Sequence, residues 1–175
     1  VGGKPLDRQL VAWAKQHVEW TLADGSAAYP DGVLMLVVDE EGRAAMTVGP
    51  YEGLAKSRLS SLLGRVDLAA REAARTCVAP ESLWLVRSGT LLWGIDQDLF
   101  PSGAATLVED LALTLGCRVE RASGLLDDVR SRRMNFDEAF LVSDELGVVL
   151  ASDAEGPEGR RFRASYQKLL ERAGR

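Results

Sequence analysis

One stretch, Glu81–Glu120 (ESLWLVRSGTLLWGIDQDLFPSGAATLVEDLALTLGCRVE), constrains the fold of this chain more than any other. Ser82 to Arg87 is an apolar run of strand length. Ser88-Gly89 is a two-residue turn signal, and Thr90 to Trp93 is the returning strand. A polar loop follows and closes on Phe100-Pro101-Ser102-Gly103. From Ala104 to Leu115, the residues Leu107, Val108, Leu111, Ala112 and Leu115 fall on one helical face. Gly116 stands where a helix C-cap glycine belongs, and Cys117 to Glu120 begins another strand. Hairpin, loop, helix and strand in this order predict an α/β fold with mixed strand pairing. The Pro-Ser-Gly at the helix entrance predicts first amides that face solvent and bind phosphate or sulfate weakly.

The remainder is built around that unit. Pro5 to Leu22 is amphipathic, with Leu6, Leu10, Trp13, Ala14 and Val18 on one side and Arg8, Lys15 and Glu19 on the other. Val33 to Val38 and Arg43 to Val48 read as a strand pair around a turn at Glu40 to Gly42. Gly49-Pro50 is the one candidate boundary, dividing a small helix-plus-hairpin part, 1–50, from a larger part, 51–175. Gly53 to Arg75 has helical composition, with a break expected near Gly64 and Asp67 as N-cap of its second half. Ser123 is the expected N-cap of a short helix over Leu125 to Arg130. Glu138 to Val142 and Gly147 to Ala151 read as strands. Pro157 to Arg172 is the last helix, with Phe162, Tyr166, Leu169 and Leu170 facing inward. Helical residues are expected to outnumber strand residues.

Charge and composition exclude several classes. A net charge of −5 argues against a nucleic-acid-binding surface. The longest apolar run, Val33 to Val38, is far too short to cross a bilayer. No secretory signal is apparent, and Cys77 and Cys117 form neither a metal pattern nor a disulfide framework, so a cytoplasmic location is the expectation. His17 is the only histidine, which leaves no Ser-His-Asp set, and no phosphate-loop or dinucleotide fingerprint occurs. The tryptophans at 13, 20, 84 and 93 read as core and interface anchors.

Glu81-Ser82-Leu83-Trp84-Leu85-Val86-Arg87-Ser88-Gly89, Phe100-Pro101-Ser102-Gly103, Asp110-Leu111-Ala112, Glu138 to Asp144 and Gly156-Pro157 come in an order that resembles a known family. It is that of the class IV aminotransferases, the fold-type IV pyridoxal-phosphate enzymes. These include branched-chain aminotransferase, D-amino acid aminotransferase and aminodeoxychorismate lyase. The likeness covers roughly the last two thirds of the chain and lies mostly in scaffold residues. It implies a class IV aminotransferase-like C-terminal part, a homodimer that buries tryptophan side chains, and pyridoxal phosphate as cofactor. Lys56, in Gly53-Leu54-Ala55-Lys56-Ser57-Arg58-Leu59, is the implied Schiff-base lysine. Ser102, Gly103 and Ala104 occupy the phosphate loop, and Ser143 occupies the second phosphate turn.

The chain departs from the family pattern where the cofactor would sit. Cys77 stands four residues before the hairpin, where the family has a glutamate for the pyridine nitrogen, and a thiol does not hold a pyridinium as a carboxylate does. As a free thiol, Cys77 reads as a small buried hydrophobe. The phosphate loop's threonine is alanine, and Asp144 places a negative charge beside the second phosphate contact. Lys56 lies about a dozen residues nearer the hairpin than in the family. These departures imply a cofactor bound weakly or not at all, and no covalently held pyridoxal phosphate.

Ser102 has a second reading as a simple helix cap, with Asp98 filling the space beside it. The stretch before Lys56 is shorter than the family's first domain, so either a preceding portion is missing or the chain is a short relative. Three functions stay open. The first is a transaminase or lyase of a small amino acid, working through Lys56. The second is a degenerate relative serving as a binding or dimerisation module, with a small anion or amino acid as ligand. The third is an unrelated α/β domain, favoured if the hairpin and the following helix do not pack together.

Overall fold

A computed structural model describes residues 8–25, 28–29, 32–38, 44–50 and 53–173. The chain divides into two compact units, Val1–Gly53 and Leu54–Arg175. Helical residues outnumber strand residues among those described.

The first unit holds a helix, α1 (Arg8–Gly25), and an antiparallel pair, β1 (Val33–Val38) and β2 (Ala44–Gly49). The pairing runs from Val33 opposite Gly49 to Val38 opposite Ala44, and α1 packs on β2. The residues before Arg8, the turn at 39–43 and Pro30-Asp31 lie outside the described residues. His17 stacks on Trp13 with ring centroids 3.9 Å apart, and its Nδ1 lies 2.9 Å from the Trp13 carbonyl oxygen. It sits on the helix rim, as its position in the amphipathic pattern predicts.

The second unit contains α2 (Leu59–Thr76), β3 (Val78–Ala79), β4 (Glu81–Arg87), β5 (Thr90–Gly94), β6 (Phe100–Pro101) and α3 (Gly103–Thr114). It continues with β7 (Arg118–Arg121), α4 (Leu125–Arg130), β8 (Glu138–Ser143), β9 (Gly147–Leu150) and α5 (Pro157–Ala173). Five strands form one mixed sheet in the order β7-β5-β4-β8-β9, in which only β5 and β7 are parallel. The turn between β4 and β5 has positive φ at both Ser88 (50°) and Gly89 (78°), as a tight hairpin turn matched to strand twist requires.

Both faces of this sheet are covered. Trp84, Val86, Leu91, Trp93, Phe140 and Val142 share one core with α3 and α5. Leu83, Leu85, Leu92, Ala139 and Leu141 share the other with α2 and α4. Double coverage explains why β4 and β8 read as continuous apolar runs rather than alternating ones. On the first face the aromatic rings are stacked in series: Trp84 on Trp93 at 4.7 Å, Trp84 near Phe140 at 6.1 Å, and Phe140 near Phe162 at 5.9 Å. Both indole N–H groups donate to Ser82 Oγ, at 3.2 Å from Trp84 and 2.9 Å from Trp93. These two tryptophans are fully buried in their own chain and present nothing to an interface.

Five local expectations are corrected. α2 runs unbroken through Gly64, because Leu62, Val66, Ala69 and Ala73 form one continuous buried stripe. That burial outweighs the glycine penalty of about 1 kcal/mol. Asp67 is therefore mid-helix, where it pairs with Arg130. The short helix α4 is capped by Gly124 in a left-handed conformation, not by Ser123. The buried face of α3 is Ala104, Ala105, Val108 and Ala112, and Leu107 is exposed. The stacked rings beneath leave room only for small side chains on the helix. Leu169 and Leu170 are exposed, since Phe162 and Tyr166 alone fill the space under α5.

Other endings follow the sequence closely. Gly116 has φ of 71°, and the amides of Gly116 and Cys117 donate to the carbonyls of Leu113 and Ala112 at 3.0 and 2.9 Å. This is a Schellman ending for α3. The parallel pairing of Val78-Ala79 with Phe100-Pro101 has no signal in the sequence.

Candidate functional site

Ser102, Gly103, Ala104 and Ser143 meet around the turn after β8. Ser143 Oγ donates to Glu81 Oε1 at 2.7 Å and accepts from the amides of Glu145 and Leu146 at 3.2 and 3.1 Å. Asp144 Oδ1 accepts from the Ala104 amide at 2.8 Å. Glu145 reaches Arg65 on α2 at 3.2 Å. Three consecutive residues, Ser143 at the end of β8 and Asp144 and Glu145 in the turn, thus hold three elements: β4 through Glu81, then α3, then α2.

Glu81 is the buried charge of this cluster. It opens β4 with its side chain on the α2 side, where Arg65 meets it with two nitrogens, at 2.9 and 2.7 Å. Burying a carboxylate costs far more than two hydrogen bonds return unless a cation pairs with it, so the Arg65 contact is what lets Glu81 sit there. Donating to the Glu81 carboxylate raises the guanidinium's pKa above its ordinary value, against the opposing effect of burial. In the sequence Glu81 stands only as the first residue of the hairpin motif. An acid at the head of an otherwise apolar strand was the available signal that a buried partner existed.

At the entrance to α3, Ser102 is buried and its Oγ accepts from the Ala105 amide at 3.3 Å. Its carbonyl accepts from the Thr106 amide and hydroxyl at 3.0 and 2.9 Å. Ser102 therefore caps its own helix. Asp144, not Asp98, fills the space beside it, and the Ala104 amide does not face solvent. A carboxylate at a helix N-terminus stabilises it by about 0.3–1 kcal/mol, so this anion position has an occupant from within the chain. Gly103 is exposed, and a Cβ there would come 3.9 Å from Asp144 Oδ1.

Lys56 lies elsewhere. It is exposed, in the irregular segment before α2. Its neighbour Ser57 accepts from the Ser152 amide at 2.8 Å, and Ala151 pairs back to Ala139. Lys56 is thus placed near the Glu138 end of β8, whereas Ser143 and Asp144 mark the other end. The intervening strand spans roughly 17 Å, at about 3.3 Å per residue. The structure brings Ser102, Gly103, Ala104 and Ser143 together and leaves Lys56 apart from them.

Cys77 is exposed rather than buried, in a left-handed conformation (φ 59°) at the C-cap of α2. Its carbonyl accepts from the Phe100 amide at 2.8 Å, tying the end of α2 to β6. A pyridoxal phosphate does not fit these residues: the amide at Ala104 and the hydroxyls of Ser102 and Ser143 are engaged internally, and the lysine lies toward the opposite end of β8. No group of His, Cys, Asp and Glu among the described residues is arranged to hold a metal ion. No helix there is long and apolar enough to cross a membrane.

A cleft of about 300 Å³ opens where β5 and β7 end, between α2 and α4. Val66, Ala70, Ile95 and Leu125 line it, and Asp67 and Arg130 pair at its rim. The carboxyl ends of parallel strands are where α/β sheets commonly leave a ligand crevice.

A mixed α/β domain with a carboxylate-filled helix entrance is what the fold and site define. No family model matches the sequence, and no curated protein matches it. Solved structures that resemble it include an aminotransferase from Brucella abortus bound to the co-factor PLP, at 22% identity, covering 52% of this chain and 34% of that one, with a TM-score of 0.42. A branched-chain amino acid aminotransferase from Escherichia coli matches at 20% identity, over 52% of this chain and 33% of that one, with a TM-score of 0.41. A branched-chain aminotransferase from Thermoproteus uzoniensis matches at 17% identity, over 73% and 56%, with a TM-score of 0.46. The chain thus spans between a third and just over half of the length of these three proteins.

Proposed function

We propose that Leu54–Arg175 is an aminotransferase-like domain of the class IV pyridoxal-phosphate type that has kept the scaffold and lost the chemistry. What carries this reading is the separation of Lys56 from Ser102, Ala104 and Ser143. A lysine side chain bearing a single pyridine ring does not bridge a whole strand. The hairpin β4–β5 and helix α3 pack as consecutive elements in one core, as the family order requires and as a chance match of motifs does not. The domain then serves as a binding or dimerisation module. The cleft at the ends of β5 and β7 is the proposed place for a small amino acid or similar small molecule. Phe100, Leu113 and Leu170, at 61%, 64% and 50% exposure, are apolar side chains left for a second copy.

The visible spectrum of the purified protein with added pyridoxal phosphate, followed by borohydride treatment and peptide mapping, tests the loss of chemistry. The expected result is no absorbance band beyond free cofactor and no label on Lys56. A reduced adduct at Lys56 would restore the catalytic reading, through a transaminase or lyase of a small amino acid. Sedimentation at high micromolar concentration tests the homodimer, for which a specific interface above about 1,000 Å² is expected.

A further inference from the structure

Three helices of the second unit receive a carboxylate from one short stretch of chain. Asp153 Oδ1 accepts from the Leu59 amide at the start of α2, at 2.7 Å. Asp144 Oδ1 accepts from the Ala104 amide at the start of α3, at 2.8 Å. Glu138 Oε2 and Oε1 accept from the amides of Gly159 and Glu158 at the start of α5, at 2.8 and 3.2 Å. The three acids stand at the head of β8, in the β8–β9 turn and just past β9. Among the described helices of this unit only the six-residue α4 lacks such a contact. Two of the capped helices lie on one face of the sheet and the third on the other.

Helix N-termini are the places where a fold meets phosphate esters, because unpaired amides and the helix dipole favour an anion there. Here the β8–β9 hairpin supplies those anions itself, across chain separations of 94 residues for α2 and 40 for α3. We propose that Asp144 is a built-in substitute for an exogenous phosphate at α3, and that the hairpin acids make the domain's helix ends independent of any anionic ligand. The inference does not rest on the functional reading above. It would hold for a domain of any activity.

Inorganic phosphate is the probe. The full chain, its D144S variant and its D144N variant are unfolded thermally in sodium phosphate and in sodium chloride at matched ionic strength, and their amide shifts are followed during phosphate titration. For the native chain phosphate adds only the general stabilisation of an excluded salt, against which recovery in the variants is read, and the Gly103 and Ala104 amides do not move. D144S unfolds roughly 4 °C lower in chloride, as loss of a helix cap implies. Phosphate recovers at least half of that loss and shifts the Ala104 amide. D144N keeps the shape without the charge and shows a smaller recovery of the same kind. Movement of Gly103 and Ala104 in the native chain would overturn the proposal. So would variants that are destabilised yet show neither phosphate recovery nor an Ala104 shift. If D144S does not fold, the native chain and D144N decide the question.

Discussion

Arg65 grips Glu81 with two parallel contacts, Nε to Oε2 at 2.9 Å and Nη2 to Oε1 at 2.7 Å, at a site where the Glu81 side chain is only 5% exposed. Planar, doubled and largely dry, this pair differs from the exposed pairs such as Arg160–Glu155. A double-mutant cycle of R65M and E81Q, measured by urea unfolding, should give a coupling of about 2 kcal/mol. A coupling below about 0.5 kcal/mol, the level of an exposed pair, would show that water screens it.

Ser82 Oγ accepts from two buried indole N–H groups, so S82A strands both at once. Each orphaned donor costs about 1–3 kcal/mol, and a total loss of about 2–6 kcal/mol is expected from denaturant unfolding. The emission of Trp84 and Trp93 should stay shielded from iodide in the native chain, while Trp20, 57% exposed, is quenched. A loss under about 0.5 kcal/mol in S82A would mean the indoles find other partners.

Two glycines should respond in opposite directions to alanine. At Gly64 an added Cβ meets nothing within 4 Å and the residue is in a helix interior, so G64A should stabilise by about 0.5–1 kcal/mol. At Gly156 the added Cβ would run into the buried Glu138 side chain, which is held by the first turn of α5. G156A should therefore cost about 1–3 kcal/mol or more. Equal midpoints for the two variants would refute the packing described at α5.

Burial raises the pKa of the Tyr166 phenol above 10.0, and the Asp144 charge adds to the rise. Between pH 10 and the folded value, the unfolded chain releases this proton while the folded chain keeps it. Stability therefore holds below about pH 10 and falls as pH rises beyond it. Urea midpoints from pH 8 to 11.5 should show a shallower alkaline fall in Y166F than in the native chain. Parallel curves would exclude Tyr166 as a source of that slope.

Much of the second unit is legible in the sequence because its signals are local. Ser88-Gly89 specifies a tight turn by its φ requirements alone, and Gly116 specifies a helix end in the same way. In the first unit, Val33 to Val38 is a strand by length and side-chain type. What could not be read depends on partners distant in the chain. The alanine face of α3 follows from the rings of Trp84 and Trp93, which only the folded sheet places beneath it. The unbroken course of α2 through Gly64 follows from a stripe that needs β4 and β8 to cover it. In the candidate site, the grouping of Ser102 with Ser143 follows from the motif order. The contact of Asp144 with Ala104, the Arg65–Glu81 pair and the distance of Lys56 from the rest are tertiary facts with no local signature.

The strand order also decides where the second unit opens first. β4 lies between β5 and β8 and under helices on both faces, while β7 and β9 are four-residue outer strands. The amides of Leu83 to Val86 can meet solvent deuterium only when the whole unit comes apart, whereas those of β7 and β9 are reached by fraying at the edges. Their exchange rates would therefore bracket the domain's internal stability, with the innermost strand as its gauge.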